Sequence, residues 1–282
     1  MSAADAATTA KLYAASAKRV LVEKRLTGLG ERLRRADDRL VFVLGSPRSG
    51  TTFLAGTIGG MPGFVDLSEV NPHKAGIAGL ARLPEAEAAV RIRTVLERVR
   101  KLALVPGLRG VEQTPETAFV LAAALRAYPQ GRAVHVLRDG RDVVCSLLER
   151  GWLSAGRAGG DDARLAYGAR ARFWVEPERI AEFESAADAT RAAWAWRSYV
   201  TAARLAADER TLEVTYESIS ADPSAAARAI AAHLGVEPSP LEQSLERFHD
   251  RSIGRYQRDL APDQLAQVEA EAGPLLHELG YA

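Results

Sequence analysis

Residues 41–54 constrain the fold of this chain more than any other segment, because an apolar strand runs into a loop bounded by two glycines and then into a helix. The run Val41–Leu44 has the β-branched and aromatic residues typical of a buried strand. Gly45 and Gly50 follow at the spacing of a P-loop, in which backbone N–H groups and a helix N-terminus hold an anion. An ordinary turn could carry similar residues, but the strand directly before it argues against that interpretation. The segment therefore predicts an anion-binding loop.

The loop lacks the lysine that follows the second glycine in nucleoside triphosphatases, because Thr51 stands at that position. A triphosphate needs this cation against its β- and γ-phosphate oxygens and normally a Mg²⁺ ion beside it. The cation inside this loop is Arg48, which comes before the second glycine. This placement favours a smaller anionic group than a triphosphate.

These residues resemble the sulfotransferases that use 3′-phosphoadenosine 5′-phosphosulfate (PAPS). The 5′-phosphosulfate loop of that family has the pattern Pro-(Lys/Arg)-Ser-Gly-Thr-Thr, which residues 47–52 match. Its second signature is a strand that ends in Arg, with a Ser eight residues later, and Arg138 and Ser146 supply it after the strand at 133–137. The two signatures lie in the expected order, so the pair is more specific than either one alone.

The resemblance implies how the chain would bind PAPS and its product, adenosine 3′,5′-bisphosphate (PAP). The N–H groups of residues 49–52 would surround the 5′-phosphate, and Arg48 would face the sulfonate and the bridging oxygen. In the family, the Arg and Ser of the second signature bind the 3′-phosphate. Two segments near the C-terminus resemble further cofactor contacts, although a core tyrosine and a surface loop explain them equally well. The expected cofactor-binding residues are Arg48, Ser49, Gly50, Thr51, Thr52, Arg138, Ser146, Tyr216, Ser252 and Arg255.

Two residues compete for the role of catalytic base. In tyrosylprotein and several bacterial sulfotransferases, a Glu about twenty residues past the basic residue of the loop takes the proton of the acceptor hydroxyl. Glu69 lies twenty-one residues past Arg48, and Pro72 favours an extended chain before it, which places Glu69 near the end of a strand. His73 is the rival, because cytosolic aryl and steroid sulfotransferases use a His, although theirs falls much later in the chain. The resemblance favours Glu69 and Arg48 as the catalytic residues.

The segment 111–115 departs from the family pattern. Many relatives have a Lys there, whose charge would steady the leaving phosphate or the transferring sulfonate, whereas this chain has Gln113. Arg48 alone could carry that role, Lys74 or another cation could replace the missing lysine, or turnover could be slow. The departure also leaves open a nucleotide-binding protein without catalytic activity.

Strand and helix patterns alternate along the chain and predict an α/β fold. Short apolar segments at 41–44, 64–67, 108–111, 133–137 and 211–215 are separated by helix candidates, among them 85–103, 142–150 and 188–207. This alternation is typical of a parallel sheet covered by helices on both faces, with ligands at the carboxyl ends of the strands. We expect a P-loop-type sheet in a single domain, with a helical N-terminal extension at residues 1–38 and the sulfotransferase domain at 39–282.

Three local patterns lead to further expectations. Thr114 is expected to cap a helix that begins at Pro115. Residues 154–175 lack clean periodicity and contain four glycines, which predicts a mobile loop region that selects the acceptor. Trp194 and Trp196 are two residues apart on a predicted helix and cannot share a face, so we expect only one of them in the core.

Charge and cysteine content exclude several classes of protein. Lys and Arg number 37 and Asp and Glu number 36, so the chain lacks the basic excess of a nucleic-acid binder. Charged residues interrupt the apolar runs between Lys11 and Arg25, so we expect neither a signal peptide nor a membrane span. The single cysteine, Cys145, excludes an intrachain disulfide and fits a reducing compartment, so we expect the cytoplasm. The abundance of Ala and Arg is typical of a high-GC, bacterial genome.

The resemblance implies an enzyme that moves a sulfonate from PAPS to an acceptor hydroxyl and leaves PAP, without a metal. The expected acceptor is a small metabolite, a glycolipid or a glycan. A P-loop small-molecule kinase is the alternative enzyme, and the missing lysine opposes it. A catalytically silent nucleotide-binding protein is the alternative from another class, and the oligomeric state is left open.

Overall fold

The computed structural model describes residues 3–23, 35–248 and 251–281, and within them five strands form one sheet. The strands are β1 (Val41–Leu44), β2 (Phe64–Ser68), β3 (Arg109–Glu112), β4 (Arg132–Leu137) and β5 (Thr211–Thr215). Their order across the sheet is β2-β3-β1-β4-β5, and all neighbouring pairs are parallel. The strand that leads into the glycine-bounded loop is therefore the central one.

Helices precede, connect and follow these strands. They are α1 (Ala3–Glu23), α2 (Thr51–Gly59), α3 (Asn71–Leu80), α4 (Glu85–Leu102), α5 (Leu121–Ala127), α6 (Gly140–Arg150), α7 (Ile180–Ser185), α8 (Asp188–Leu205), α9 (Tyr216–Ala221), α10 (Pro223–Leu234), α11 (Ser239–Leu245), α12 (Tyr256–Asp259) and α13 (Pro262–Glu278). Two short 3₁₀ helices span Pro115–Val120 and Pro177–Arg179.

Helices cover both faces of the sheet, because the strands alternate their apolar side chains between two cores. Phe42 and Leu44 of β1 belong to the core that contains residues of α1, α3, α4 and α5. Val41 and Val43 belong to the opposite core, with residues of α2, α10 and α11. All four side chains are fully buried, as a strand covered on both faces requires. The predicted α/β architecture, one parallel sheet between helices in a single domain, is confirmed.

The carboxyl ends of the strands meet at one edge of the sheet, and each strand is followed directly by a residue that the sequence singles out. Gly45 follows β1, Glu69 follows β2, Gln113 follows β3, Arg138 follows β4 and Tyr216 follows β5. Parallel pairing alone therefore brings these five segments to the edge where ligands of such sheets bind.

Two predictions about packing are wrong. Thr114 stands at the N-cap position of the first 3₁₀ helix, but its hydroxyl accepts a hydrogen bond from the Val70 N–H at 3.2 Å instead of capping that helix. Trp194 and Trp196 are both fully buried. The helix α8 lies between two packing layers, so Trp194 packs with Phe183 on one side and Trp196 joins the core with α6 and α13 on the other.

The N-terminal segment is helical over Ala3–Glu23 and packs against the domain. Tyr13, Ala17 and Val20 are buried in the same core as β2, α3 and α4. Residues 24–34 of the predicted extension lie outside the described residues, and the boundary at residue 38 stays a prediction. Over the described part of the chain, no helix combines the length and the apolar character needed to cross a bilayer.

Candidate active site

The loop between β1 and α2 can only be built with glycine at both ends. Gly45 has φ 152°, and a Cβ there would lie 2.4 Å from the carbonyl oxygen of Val136 on β4. Gly50 has φ 96°, and a Cβ there would lie 2.9 Å from the ring of Tyr216. Both contacts are closer than real Cβ atoms approach, and the second φ lies in the left-handed region that favours glycine. The glycine pair that predicted the loop therefore has a steric basis.

The interior of the loop is strained and partly unpaired. Arg48 adopts a left-handed backbone with φ 76°, a conformation that is uncommon and strained for a residue with a side chain. The Ser49 N–H donates to the Ser46 carbonyl at 3.1 Å, so it closes the turn and is not the free donor that the resemblance implies. The Ser49 hydroxyl is buried and has no hydrogen-bond partner among the described residues. Thr51 and Thr52 open α2, where the first N–H groups have no carbonyl partner within the helix.

The two sequence signatures meet in space. The Nε atom of Arg48 donates to the Ser146 hydroxyl on α6 at 2.9 Å. The Nη1 atom of Arg138 donates to the Arg48 carbonyl at 3.0 Å. The residues that the sequence places ninety positions apart therefore form one connected group around the loop.

Arg138 is held from several sides and still keeps a free donor. It is 5% exposed, its Nη2 atom donates to the Ser252 carbonyl at 2.6 Å, and its guanidinium lies 4.4 Å from the ring centre of Tyr216. The indole N–H of Trp196 donates to the Arg138 carbonyl at 3.1 Å, which gives that tryptophan a positioning role that the sequence did not indicate. The Nε atom of Arg138 is buried without a partner among the described residues. A buried cation with an unused donor is suited to hold an anion.

The C-terminal segment around Ser252 closes over this group. The Ser252 hydroxyl lies 3.2 Å from the Tyr216 hydroxyl. The Asp142 carboxylate accepts from the N–H groups of Gly254 at 2.7 Å and Tyr256 at 3.0 Å, so α6 fixes the position of the segment. Arg255 pairs with Glu149 and Asp259.

A cavity of about 330 Å³ lies between the loop, α6 and the C-terminal segment. Nine of the ten predicted cofactor residues line it, namely Arg48, Gly50, Thr51, Thr52, Arg138, Ser146, Tyr216, Ser252 and Arg255. Ser49 is the exception, because its side chain is buried beneath the loop. Sequence reasoning missed Phe53, Glu149, Arg247 and Phe248, which also line the cavity. Their only signal was proximity to the motifs, because aromatic and charged residues are common on surfaces. We call this space the donor cavity, after the role that the resemblance predicts for these residues.

A second cavity of about 490 Å³ adjoins the donor cavity and shares Arg48, Thr51 and Thr52 with it. Glu69, Lys74, Gln113 and Glu116 line its polar side. Four aromatic side chains contribute to its wall, namely Trp152, Tyr167, Trp174 and Tyr199. We call this space the acceptor cavity, because it contains Glu69, the base that the resemblance predicts.

The loop region between α6 and α7 supplies much of the acceptor cavity. Residues 154–175 contain no helix or strand apart from an isolated bridge between Gly160 and Ala166, as their irregular pattern predicted. Asp161, Asp162 and Tyr167 of this region line the cavity. Its mobility and its role in selecting the acceptor stay predictions.

The structure separates the two candidate bases. Glu69 follows β2, lines the acceptor cavity and is one third exposed. His73 is fully buried on α3, where its Nε2 atom lies 3.0 Å from the Thr117 hydroxyl, and it does not line either cavity. Burial lowers the pKa of His73 to about 4. The geometry favours Glu69, because a base must reach the proton that it takes.

Lys74 carries a charge that nearby carboxylates already neutralise. Its Nζ atom lies 2.7 Å from Glu69, 2.9 Å from Asp161 and 3.7 Å from Glu116. Burial alone would lower the pKa of Lys74, but the three carboxylates together raise it. The ammonium is therefore charged, and its three carboxylate neighbours neutralise that charge. It fits a role in orienting carboxylates better than a role as the cation missing at Gln113.

Arg48 has the opposite environment. Burial lowers the pKa of Arg48 most, the nearby cations Arg150 and Arg138 lower it further, and the carboxylate of Glu149 offsets this only in part. Its side chain borders both cavities. Among the alternatives that the sequence left open, this geometry favours Arg48 as the cation between the donor and the acceptor.

Comparisons with known proteins identify the family and the fold of the chain. The model of the sulfotransferase family matches residues 80–240, which is more than half of the chain. The chain belongs to this family. The match includes Arg138 and Ser146 but begins after the glycine-bounded loop and Glu69, so those residues rest on the motif and the geometry alone. No curated protein sequence matches the chain.

Solved sulfotransferases share the fold at low sequence identity. The sulfotransferase STF9 from Mycobacterium avium is 14% identical, with 96% of this chain and 84% of that chain covered and a TM-score of 0.52. The sulfotransferase STF1 from Mycobacterium tuberculosis is 16% identical, with 91% and 80% covered and a TM-score of 0.50. The mouse sulfotransferase SULT7A1, solved in complex with PAP, is 14% identical, with 92% and 90% covered and a TM-score of 0.51. This sulfotransferase therefore has the family fold and is an enzyme of that class.

Proposed function

We propose that this sulfotransferase transfers the sulfonate of PAPS to a hydroxyl group of its acceptor and leaves PAP. The observation that carries the proposal is that two cavities meet at Arg48, Thr51 and Thr52. One cavity is lined by the residues expected to bind phosphate, and the other contains a carboxylate, Glu69, at the end of a strand. This arrangement suits a donor and an acceptor that react across a shared boundary.

The residues of the donor cavity fit a nucleotide with phosphates at both the 5′ and the 3′ positions. The loop and the start of α2 present hydroxyls and N–H groups, and the close approach of Gly50 to Tyr216 leaves no room for a side chain there. The unpaired Nε atom of Arg138 and the hydroxyl of Ser146 form a second group of donors. A solved sulfotransferase with the same fold is described in complex with PAP, which supports the same donor here.

In the proposed mechanism, PAPS supplies a sulfonate on a good leaving phosphate. Thr51 and Thr52 bind the 5′ end, and Arg138 and Ser146 bind the 3′-phosphate. Arg48 stabilises negative charge at the boundary of the cavities, where its guanidinium is held by Ser146. Glu69 accepts the proton of the acceptor hydroxyl, and Lys74 orients its carboxylate.

The acceptor cavity supports a small molecule or the exposed end of a larger one. A volume of about 490 Å³ lies within the range of small-molecule sites. Aromatic faces and hydrogen-bonding groups line it together, which fits a small metabolite, a glycolipid or a glycan better than an extended polypeptide. We propose an acceptor from these classes.

Two measurements test the proposal. PAP should raise the melting temperature of the protein, whereas ATP at the same concentration should raise it little, because the loop lacks the lysine that binds a triphosphate. Acceptor pools incubated with PAPS labelled in its sulfonate should then yield a labelled product. Stabilisation by ATP but not by PAP would contradict the choice of donor. If PAP binds but the protein neither transfers the sulfonate nor slowly hydrolyses PAPS, the chain is a binding protein.

A further inference from the structure

We infer that α1 forms part of the acceptor half of the active site and that Arg19 is the residue through which it positions Glu69. This inference rests on the proposed function, in which Glu69 takes the acceptor proton. It concerns a helix that lies outside the part of the chain matched by the family model.

Arg19 connects the base to the opposite wall of the acceptor cavity. Its Nη1 atom donates to the carbonyl of Glu69 at 3.4 Å, and its Nη2 atom donates to the carboxylate of Asp162 at 2.8 Å. The Arg19 side chain is only 25% exposed and lines the acceptor cavity. One guanidinium therefore spans the turn that carries the base and the loop that faces it. A lysine could not reproduce this, because it lacks the planar fork.

The helix α1 also contacts Asn71, which lies two residues after Glu69. The hydroxyl of Ser16 is buried and accepts the N–H of Asn71, the first residue of α3, at 3.1 Å. Ser16 and Arg19 are three residues apart, so they lie on the same face of α1. The helix thus contacts both ends of the short turn 69–71.

The turn 69–71 is held by hydrogen bonds from other elements of the fold. Ser68 has φ 57°, an unfavourable left-handed conformation for a residue with a side chain, and it directly precedes Glu69. The Val70 N–H is held by the Thr114 hydroxyl at 3.2 Å. With Arg19 on the Glu69 carbonyl, each residue of the turn has a partner on another element. A strained turn held in this way fixes the direction of its side chain.

A further contact ties α1 to the same loop. The Arg164 side chain donates to the Thr8 hydroxyl at 3.2 Å, three helical turns before Arg19. The neighbouring Asp161 pairs with Lys74, which also binds the Glu69 carboxylate. The helix, the loop and the base therefore form one network around the acceptor cavity.

Arg98 provides a matched control. Its guanidinium lies 4.7 Å from the ring centre of Tyr13, so it also joins α1 to the domain, but it lies outside both cavities. If α1 only stabilised the fold, Arg98→Ala and Arg19→Ala should have similar effects. If Arg19 positions the base, only Arg19→Ala should impair the reaction.

The experiment compares wild type, Arg19→Ala, Arg19→Lys and Arg98→Ala. The affinity for PAP is measured by calorimetry, and kcat and acceptor KM are measured with labelled PAPS. Arg19→Ala should lower kcat by roughly tenfold or more, because small misplacements of a catalytic group have large effects on rate. Its acceptor KM should rise, while PAP affinity stays within about twofold of wild type, because Arg19 does not line the donor cavity. Arg19→Lys should recover part of the KM effect through Asp162 but little of the kcat effect.

Hydrogen exchange gives a readout that does not depend on activity. Arg19→Ala should speed exchange in residues 66–74 and 157–168 but leave residues 45–52 unchanged, and Arg98→Ala should change none of these segments. Equal effects of the two alanine variants, or unchanged kinetics and exchange in Arg19→Ala, would overturn the role of Arg19. A wild type that does not bind PAP would instead overturn the proposed function, and the exchange data would still decide whether Arg19 holds the turn.

Discussion

The Nε atom of Arg48 donates a 2.9 Å hydrogen bond to the hydroxyl of Ser146, and this contact joins the glycine-bounded loop to the helix that follows β4. Arg48 sits in a left-handed backbone conformation, so its side chain leaves the loop in a direction that an ordinary loop residue would not take. Ser146 fixes that direction from the other side. The cation proposed to act on the sulfonate is thus oriented by a residue of the proposed 3′-phosphate site.

Arg138→Ala should weaken the binding of PAP by about 2–4 kcal/mol, the scale for removing one partner of a buried charge pair. Binding of adenosine 5′-phosphosulfate, which has no 3′-phosphate, should hardly change. Calorimetry with both ligands measures the difference, and Arg138→Lys controls for the charge without the planar fork. Equal losses for the two ligands would contradict the assignment of Arg138 to the 3′-phosphate.

Glu69→Gln should leave PAP affinity nearly unchanged but reduce kcat by roughly 10²–10⁴, the usual contribution of general-base catalysis. Gln keeps the size of the side chain but cannot take a proton. Lys74 retains Asp161 and Glu116 as partners, so the site should remain folded. Initial rates with an aliphatic alcohol as acceptor are the strict measurement, because an acidic phenol needs less help from a base. His73→Gln is the comparison variant and should keep kcat near the wild-type value; the reverse ranking would assign proton transfer to histidine.

His73 should make the fold sensitive to acid. Its pKa is about 4 in the folded protein, below the ordinary 6.5, because burial disfavours the charged ring. Between these values the unfolded chain binds a proton that the folded chain does not, so stability falls as the pH drops through this window. The melting temperature of the wild type should therefore fall more between about pH 7 and about pH 5 than that of His73→Gln. His277→Gln changes an exposed histidine and serves as control; identical pH dependence in all three proteins would contradict the prediction.

Thr51→Lys should not create a kinase, although it restores the lysine of nucleoside triphosphatases at the right position in the sequence. In the proposed function, Arg138 and Ser146 of the donor cavity bind a 3′-phosphate and leave no role for a γ-phosphate with Mg²⁺. Labelled ATP should therefore give no phosphoryl transfer above that of wild type. Thr57→Lys adds the same charge to the same helix away from both cavities and controls for general electrostatic effects. Measurable transfer by Thr51→Lys alone would support the kinase alternative.

The sequence indicated most of the residues that line the donor cavity, because they belong to local motifs. A strand, two glycines and a helix define the loop, and a strand followed by a helix defines the pair Arg138 and Ser146. Such segments fix their own backbone, so spacing alone indicates their shape. The strand alternation similarly predicted the parallel sheet, since only a sheet buried on both faces requires such apolar strands.

The acceptor half was not predictable in the same way. The sequence indicated Lys74 only as a possible substitute cation. It indicated Arg19 only as one of the charged residues between Lys11 and Arg25 that interrupt the apolar runs. Their partners, Glu116, Asp161 and Asp162, come from distant segments, and contacts between long polar side chains leave no periodic signal in the sequence. The burial of both tryptophans of α8 was missed for a related reason, because the number of layers that pack around a helix is a property of the whole domain.

The sequence by itself determined the fold class, the glycine-bounded loop after β1 and the residues that follow the strands, because these depend on local backbone geometry and on the alternation of apolar side chains. Only the tertiary structure decided which of the two candidate bases reaches a cavity. It also decided which of the two candidate cations, Lys74 or Arg48, is paired with carboxylates. It put Glu69 in the turn that follows β2, at the edge of the sheet, and His73 in the first turn of α3, where the side chain is fully buried. Burial and charge at a site are sums over everything packed around it, and those neighbours are set by the complete fold.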